Sequence, residues 1–275
     1  MTLIESILYG IVSGLTEFLP VSSRAHQAIM RYLFGVNTRV PLQELLVHIG
    51  VLAAILVSSR DLLTRLRREQ VSRASVRRRK TQKKDRAYFD LRLIKTASFP
   101  LFIGLFFCFA TDRFESNLLI LMSFWLINGL ILLLADHTSR GNRDARTMSA
   151  LDGVMIGLAG TLSALPGVSR TGMIAAYSTA RGADDEHVVN WTVTLGIPAM
   201  LFAVLYDFIS MFSLGIGVHS FGMFVFALLS GVSAFAGGYI GILLFKLALE
   251  HSGFSKFAYY SVGAGLFSFI LYLIT

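Results

Sequence analysis

The sequence predicts an all-α integral membrane protein built from two related halves. Apolar residues make up 54% of the chain and charged residues 15%, and the mean hydropathy is +0.64. Water-soluble domains carry about 25% charged residues, so this composition indicates a lipid environment. In addition, Leu-Pro-Val-Ser-Ser-Arg at 19–24 and Leu-Pro-Gly-Val-Ser-Arg at 165–170 share Leu, Pro, Ser and Arg at an offset of 146 residues.

The offset continues without a gap on both sides of these two stretches. Pairs of identical residues at this spacing are Gly14 and Gly160, Val47 and Val193, Gly50 and Gly196, Ala53 and Ala199, and Asp61 and Asp207. Self-similarity at a fixed spacing is the sequence signature of a repeat. We therefore predict one polytopic membrane domain over 1–275, with repeat one at about 1–136 and repeat two at about 150–275.

Long uncharged runs predict the helices that cross the bilayer. A helix needs about 20 apolar residues to span the hydrocarbon core. Four runs meet this requirement clearly: 116–135, 188–206, 221–245 and 257–275. Two weaker candidates, 45–59 and 93–110, contain His48 and Lys95, which we expect to face protein or an interface. The first thirty residues lack a basic leader, so we do not expect a cleaved signal.

The positive charge of the chain is concentrated in one segment. Residues 60–86 contain twelve Lys or Arg and three acidic residues, a net +9 within a chain of net +8. Basic segments between spans lie on the cytoplasmic side, so we predict a cytoplasmic loop at about 60–87 that determines the topology. Contact with anionic lipid headgroups is the alternative role of this segment. Arg140, Arg143 and Arg146 predict a second cytoplasmic loop. Charge distributed in this way does not indicate nucleic-acid binding.

The two repeated stretches predict broken helices. Each contains Gly, a central Pro, and then Ser and Arg, which would be costly to expose to lipid. Backbone freed by such a break must face protein or a water-filled cavity. We predict re-entrant or discontinuous hairpins whose second helices start near Ser22 and Ser169. An odd number of crossings in each half suggests inverted topology, with both tips meeting near the midplane around an anion.

Side chains around the two predicted tips have the chemistry of a phosphate site. Arg24 and Arg170 can bind phosphate oxygens bidentately, and helix N-termini add N–H donors. Ser23 can attack phosphorus if a base takes its proton. Glu17 or His26 is the candidate base, or the ligand of a divalent metal.

Structural roles are the alternatives for the same residues. Pro20 and Pro166 can simply kink helices, and Ser22 and Ser169 can bond freed carbonyls. Arg24 can extend to an interface.

Two further pairs of polar residues predict structural contacts. Glu44 and His48 lie one helical turn apart, so we predict that they pair. Asp61 and Asp207 are related by the repeat, and we interpret both as caps or anchors at helix ends.

The first repeated stretch, Gly-Leu-Thr-Glu-Phe-Leu-Pro-Val-Ser-Ser at 14–23 followed by His26, resembles the first signature of the undecaprenyl pyrophosphate phosphatase family of bacitracin-resistance membrane proteins. Pro-Gly-Val-Ser-Arg-Thr-Gly at 166–172 resembles the second, and weaker similarity extends through 196–207 and 254–258. Three positions depart from the family pattern. Ser13 replaces a glutamate, Arg24-Ala25 replaces Thr-Gly, and Gly160 replaces a glutamine.

The resemblance implies two interdigitated inverted repeats with re-entrant hairpins, and removal of the terminal phosphate of a polyprenyl diphosphate at a site open to the outer face. It implies a divalent cation, Mg or Ca. By position, Ser23 would be the nucleophile, Glu17 a metal-associated or basic carboxylate, His26 a proton-transfer partner and Arg170 the phosphate clamp. The residues expected to assist substrate binding are Ser22, Arg24, Ser169, Thr171 and Gly172.

The leading functional hypothesis is hydrolysis of undecaprenyl diphosphate to undecaprenyl phosphate and phosphate, which recycles the carrier lipid for cell-wall peptidoglycan synthesis. The alternative is a non-hydrolytic polyprenyl-phosphate transporter or lipid-phosphate binder, because Ser13 removes a carboxylate and Arg24 adds a cation. A third reading is a structural membrane protein with a decayed site. The expected location is the cell membrane, and the expected partners are the polyprenyl diphosphate, the bilayer and a second copy of the chain.

Overall fold

The computed structural model describes residues 1–36, 39–76, 86–138, 141–213 and 221–274, where every regular element is a helix. The α-helices are α1 (Leu3–Phe18), α2 (Ser23–Leu33), α3 (Pro41–Ser58), α4 (Arg60–Val76), α5 (Arg86–Gly104), α6 (Cys108–Thr111), α7 (Leu118–Asp136), α8 (Ala150–Thr161), α9 (Arg170–Ala180), α10 (Asp185–Thr194), α11 (Gly196–Ser213), α12 (Phe221–His251) and α13 (Ser255–Ile274). Short 3-10 turns lie at Leu105–Phe107, Asp112–Phe114 and Leu162–Ala164. The predicted all-α class is therefore confirmed.

Six helical stretches in the described residues are long and apolar enough to cross a membrane. They are Pro41–Ser58, Phe89–Phe114, Leu118–Asp136, Asp185–Ser213, Phe221–His251 and Ser255–Ile274. Each overlaps one of the six predicted spans, including the two weaker candidates, so these predictions are confirmed. The stretch Asp185–Ser213 differs in one respect, because Leu195 divides it into α10 and α11.

The predicted basic loop begins as a helix. Residues 60–76 form α4, which continues the chain directly after α3. This part of the predicted cytoplasmic loop is helical because it contains helix-forming Leu, Arg and Glu without Pro or Gly. Residues 77–85 and Arg140 lie outside the described residues.

Both repeated stretches break where predicted. In the first, α1 ends at Phe18, Ser22 adopts a positive φ of 67°, and α2 begins at Ser23. In the second, the chain passes Gly167 at φ 120° before α9 begins at Arg170. The Ser169 side chain caps α9 by accepting a hydrogen bond from the Gly172 N–H, as expected for a serine N-cap.

Small residues allow α12 to pack closely against α1 and α3. A Cβ atom placed on Gly14 would lie 2.2 Å from the carbonyl oxygen of Ala234, and one on Gly10 would lie 2.1 Å from that of Ser230. Glycines at these positions let the backbones touch, which is how helices associate in lipid. In addition, α5 packs on α8, α7 on α13 and α11 on α3.

The repeat-related aspartates do not share a role. Asp207 lies inside α11 and is 1% exposed, whereas Asp61 lies in the first turn of α4 with an exposed side chain. The prediction of equivalent helix-end caps was therefore wrong. The physical reason is that α11 continues past Asp207 to Ser213, which places this carboxylate in a helix–helix contact.

Candidate active site

The two helix breaks contact each other directly. The Thr171 hydroxyl donates a hydrogen bond to the backbone carbonyl of Glu17 at 2.8 Å. The Gly167 N–H donates to the Ser22 hydroxyl oxygen at 3.1 Å. These contacts join residues 145 and 154 positions apart in the chain. The signatures of both halves therefore form one site.

A single buried amide on α7 holds both breaks. The Asn128 side chain donates to the Pro20 carbonyl at 3.0 Å and accepts the Ser169 N–H at 2.9 Å. Nearby, the Trp125 indole N–H donates to the Val21 carbonyl at 2.8 Å. Backbone groups released at a break need such partners when water is excluded. Sequence reasoning missed Asn128, although an amide inside an apolar run was an available signal.

A cavity opens where the breaks meet. Its polar lining includes residues of both helix breaks and of neighbouring segments. These residues are Thr16, Glu17, Ser22, Ser23, Arg24, Arg39, His48, Asp112, Ser163, Ser169 and Arg170. Apolar side chains line the rest of the cavity, among them Leu105, Met200, Phe202 and Tyr206.

Three of the predicted site residues form a connected group in this cavity. The Ser23 hydroxyl donates a short hydrogen bond to Glu17 Oε2. Arg170 Nη2 donates to the other oxygen of that carboxylate, Oε1, at 3.3 Å. Ser23 is the first residue of α2 and Arg170 the first of α9, so two helix N-termini contribute to this group. The arrangement combines a hydroxyl, a base for its proton and a cation.

Arg170 is buried without a full set of partners. It is 5% exposed, and its Nε and Nη1 atoms have no hydrogen-bond partner among the described residues. A buried charge with unpaired donors is costly unless another group compensates it. Unpaired N–H donors on a buried guanidinium are available to the oxygens of a phosphate. This feature is expected of an anion-binding residue.

Arg24 has a different environment from Arg170. It lines the cavity, but its Nε donates to Glu115 at 2.8 Å and its Nη2 to Asp112 at 2.8 Å. Its Nη1 donates to the Ala164 carbonyl at 2.5 Å. The guanidinium is therefore satisfied by protein groups and neutralised by two carboxylates. The structure ties Arg24 to the helix ends around Glu115 and leaves it without free donors for a phosphate.

The same carboxylates extend into a buried ion network. Glu115 Oε2 accepts from Arg31 Nη2 at 2.6 Å, and Arg31 Nη1 lies 3.0 Å from Glu44 Oε1. The Tyr9 hydroxyl donates a short hydrogen bond to Glu44 as well. Glu44 therefore contacts Arg31 and Tyr9, and the predicted pair of Glu44 with His48 was wrong. The two side chains leave α3 toward different neighbours, α1 and α2 for Glu44 and α11 for His48.

The structure does not bring His26 to the cavity. Its Nδ1 contacts the Ser22 carbonyl at 2.7 Å, and its Nε2 contacts the Tyr260 hydroxyl on α13 at 2.7 Å. The ring stacks on Tyr260 and meets Trp125 edge-on. His26 therefore lies in a separate pocket with Trp125 and Tyr260 and does not line the cavity that holds Ser23, Glu17 and Arg170.

The predicted substrate-binding residues divide into two sets. Ser22 and Ser169 line the cavity, although each hydroxyl already accepts a backbone N–H. Thr171 and Gly172 are buried and do not line it. Both lie against the first break instead. The Thr171 hydroxyl contacts the Glu17 carbonyl, and a Cβ atom placed on Gly172 would lie 3.3 Å from Pro20 Cβ.

The donor set does not fit a divalent ion held by the protein alone. No group of three or more His, Cys, Asp or Glu suited to a metal occurs in the described part of the chain. Glu17, the predicted metal ligand, already contacts Arg170, and Asp112 contacts Arg24. Ser13, where the family pattern has a second glutamate, is buried with an unpaired hydroxyl and does not line the cavity.

Comparisons with known proteins identify the family. The family model "Bacitracin resistance protein BacA" matches residues 6–267. A protein of Alkaliphilus metalliredigens named undecaprenyl-diphosphatase is 32% identical over 270 residues, covering 96% of this chain and 97% of its own length. A Treponema denticola protein of the same name is 30% identical, covering 97% of this chain and 96% of its own length. A Shouchella clausii protein named undecaprenyl-diphosphatase 1 is also 30% identical, covering 98% of this chain and 96% of its own length. With six helices able to span a bilayer, the chain is a multi-pass membrane protein and belongs to the BacA family of bacitracin-resistance proteins.

Proposed function

We propose that this protein hydrolyses undecaprenyl diphosphate to undecaprenyl phosphate and inorganic phosphate, and so recycles the carrier lipid for peptidoglycan synthesis. The observation that carries the proposal is the meeting of Ser23, Glu17 and Arg170 in one cavity, with free donors on a buried guanidinium. The relatives named undecaprenyl-diphosphatase match nearly the full chain, which supports the same substrate class.

In the first step, Ser23 Oγ attacks the terminal phosphorus while Glu17 takes the hydroxyl proton. A bond forms between Oγ and phosphorus, the bond from phosphorus to the bridging oxygen breaks, and polyprenyl phosphate leaves. Arg170 binds the oxygens that gain charge, as do the N–H groups that begin α2 and α9. Glu17 is suited to the base role because it already accepts the Ser23 hydrogen bond.

In the second step, water attacks the phosphoserine and the bond from phosphorus to Ser23 Oγ breaks. Glu17 returns its proton to Oγ, which restores the serine, and inorganic phosphate leaves. This second attack needs a base for the water proton, because Glu17 is protonated at that stage.

The cavity suits a headgroup attached to a hydrocarbon chain. Its polar end holds Ser23 and Arg170, while Met200, Phe202 and Tyr206 supply an apolar wall from α11. We propose that the remaining polyprenyl chain extends into the bilayer.

We propose that α1–α2 and α8–α9 are re-entrant hairpins of two inverted repeats in a single domain over 1–275. Helices that correspond to each other in the two halves make corresponding contacts, which supports this proposal. The contact of α1 with α12 corresponds to that of α8 with α5, and α1 with α2 corresponds to α8 with α9. The basic segment at about 60–87 would face the cytoplasm. Association of two copies stays a prediction, which light scattering of the detergent-solubilised protein measures.

The experiment is phosphate release from a polyprenyl diphosphate by purified protein, with and without Mg²⁺ or Ca²⁺. Ser23→Ala removes the nucleophile, and we expect it to abolish turnover. Arg170→Ala removes the phosphate donors, and we expect a loss of about 10²–10³-fold in kcat, the cost of removing one oxyanion donor. Arg170→Lys should not restore activity, because an ammonium lacks the bidentate fork.

Ser163→Ala is the matched control. Ser163 lines the same cavity, but its hydroxyl donates to the Gly160 carbonyl and does not contact Glu17. We expect this variant to keep wild-type turnover. Wild-type protein that moves polyprenyl phosphate across liposomes without releasing phosphate would contradict the proposal and support the transporter alternative.

A further inference from the structure

A second pair of ionisable side chains borders the cavity, and the steps above do not use it. His48 on α3 and Asp207 on α11 contact each other through Nδ1 and Oδ2 at 2.6 Å. Asp207 is 1% exposed, while the His48 ring keeps 11% of its side-chain surface accessible and lines the cavity with Ser23, Glu17 and Arg170. The pair therefore presents an imidazole to the reaction chamber and keeps its carboxylate behind it.

Asp207 determines which nitrogen of His48 is available. An ionised carboxylate only accepts hydrogen bonds, so Nδ1 carries the proton and Nε2 has a free lone pair. Within the described part of the chain, Nε2 has no hydrogen-bond partner. A histidine oriented by a buried carboxylate through Nδ1, with Nε2 toward the reacting groups, is an arrangement used for proton transfer.

The charged groups around His48 are consistent with this role. Asp207 contacts it from α11, and Arg39, on the segment before α3, lies 3.8 Å from the other Asp207 oxygen. Glu17 faces the same cavity from α1. Glu44 precedes His48 by one turn on α3, but its carboxylate contacts Tyr9 and Arg31. His48 is thus the imidazole in the described residues that shares the cavity with Ser23.

We propose that His48 is the base that activates water in the second step, and that Asp207 is its positioning residue. This inference rests on the proposed hydrolysis through Ser23. Nε2 accepts one water proton while the water oxygen bonds to phosphorus. The bond from phosphorus to Ser23 Oγ breaks, and Glu17 returns its proton to Oγ. The protonated imidazole then releases its proton to solvent as hydrogen phosphate leaves.

The test measures the two steps separately with a polyprenyl diphosphate in a rapid-quench experiment. We expect His48→Gln to release one equivalent of polyprenyl phosphate at the wild-type rate, while inorganic phosphate release falls by about 10²-fold or more, as for loss of a general base. Phosphoserine at Ser23 should then accumulate and be detected by mass spectrometry. In the wild type, phosphate release should fall at low pH as His48 becomes protonated, and this decrease should be absent in His48→Gln.

Asp207→Asn provides a second measurement, because an amide no longer fixes the tautomer. We expect it to slow phosphate release selectively by about 10-fold or more. His137→Gln, a change at the end of α7 away from the cavity, is the control and should leave both steps unchanged. Phosphate release within about two-fold of wild type in His48→Gln, or an equal loss in both steps, would overturn the inference. Full turnover by Ser23→Ala would instead overturn the proposed nucleophile, so the two failures are distinguishable.

Discussion

Glu115 is the residue whose neutralisation should most disturb the structure around the site. Its carboxylate is 6% exposed and contacts two arginines, Arg24 at 2.7 and 2.8 Å and Arg31 at 2.6 Å. Glu115→Gln keeps the shape of the side chain but removes the charge, and its amide N–H₂ group would face an arginine donor. Removing one partner of a buried ion pair costs about 3–5 kcal/mol, because the other charge remains buried.

This cost can be measured as a change in thermal stability. Domains of this size lose about 2–4 °C in Tm for each kcal/mol, so we expect Glu115→Gln to lower the Tm by roughly 6–20 °C. Detergent-solubilised protein followed by a thiol-reactive or scattering probe gives the measurement. Glu250→Gln, an exposed change near the end of α12, is the control and should alter stability by no more than about 0.5 kcal/mol.

A double variant tests whether charge imbalance is the cause. If Glu115→Gln destabilises because Arg31 loses one of its two carboxylate partners, Arg31→Gln with Glu115→Gln should cost less than the sum of the single changes. A Tm for Glu115→Gln within about 2 °C of wild type would refute the reasoning. It would mean that the network contributes no net stability.

Three other changes test the contacts that bring the breaks together. Gly14→Ala would place a Cβ atom 2.2 Å from the Ala234 carbonyl oxygen and force α1 away from α12 by about 1 Å. We therefore expect loss of folded protein on size-exclusion chromatography, whereas the control Gly263→Ala, whose added Cβ would have nothing within 4 Å, should fold normally. Asn128→Ala leaves the Pro20 carbonyl and the Ser169 N–H without their partner, and we expect about 2–5 kcal/mol of destabilisation in thermal unfolding. Thr171→Val keeps the side-chain shape but removes the bond to the Glu17 carbonyl, so kcat for phosphate release should fall several-fold, and unchanged kcat would show that this bond does not position Glu17.

Two residues of the proposed catalytic group, Ser23 and Arg170, could be predicted from the sequence because each is the first residue of a helix that follows a break. Pro20 and Pro166 mark the breaks, and a serine follows each at the N-cap. Whichever way the helices pack, a polar tip in an apolar chain must face protein or water. Local pattern therefore indicated Ser23 and Arg170 together, and the structure places both in one cavity.

The roles of Arg24 and His26 depended on helix faces that the sequence does not define. Both residues lie in the first turn of α2, yet Arg24 turns toward Glu115 while His26 turns toward Tyr260 on α13. An isolated helix shows which residues share a face, but not which neighbour covers it. The pairing with Glu115 spans 91 residues and that with Tyr260 spans 234, so no local pattern encodes either.

The sequence by itself determined that this protein lies in a membrane, where its spans run and where its two helices break, because hydropathy, proline and serine act over a few residues of chain. Only the tertiary structure decided that Asn128 holds both breaks, that Glu115 pairs with Arg24, and that Asp207 contacts His48. These contacts form between helices far apart in the chain, and each depends on how buried charges and unpaired backbone groups find partners once lipid excludes water.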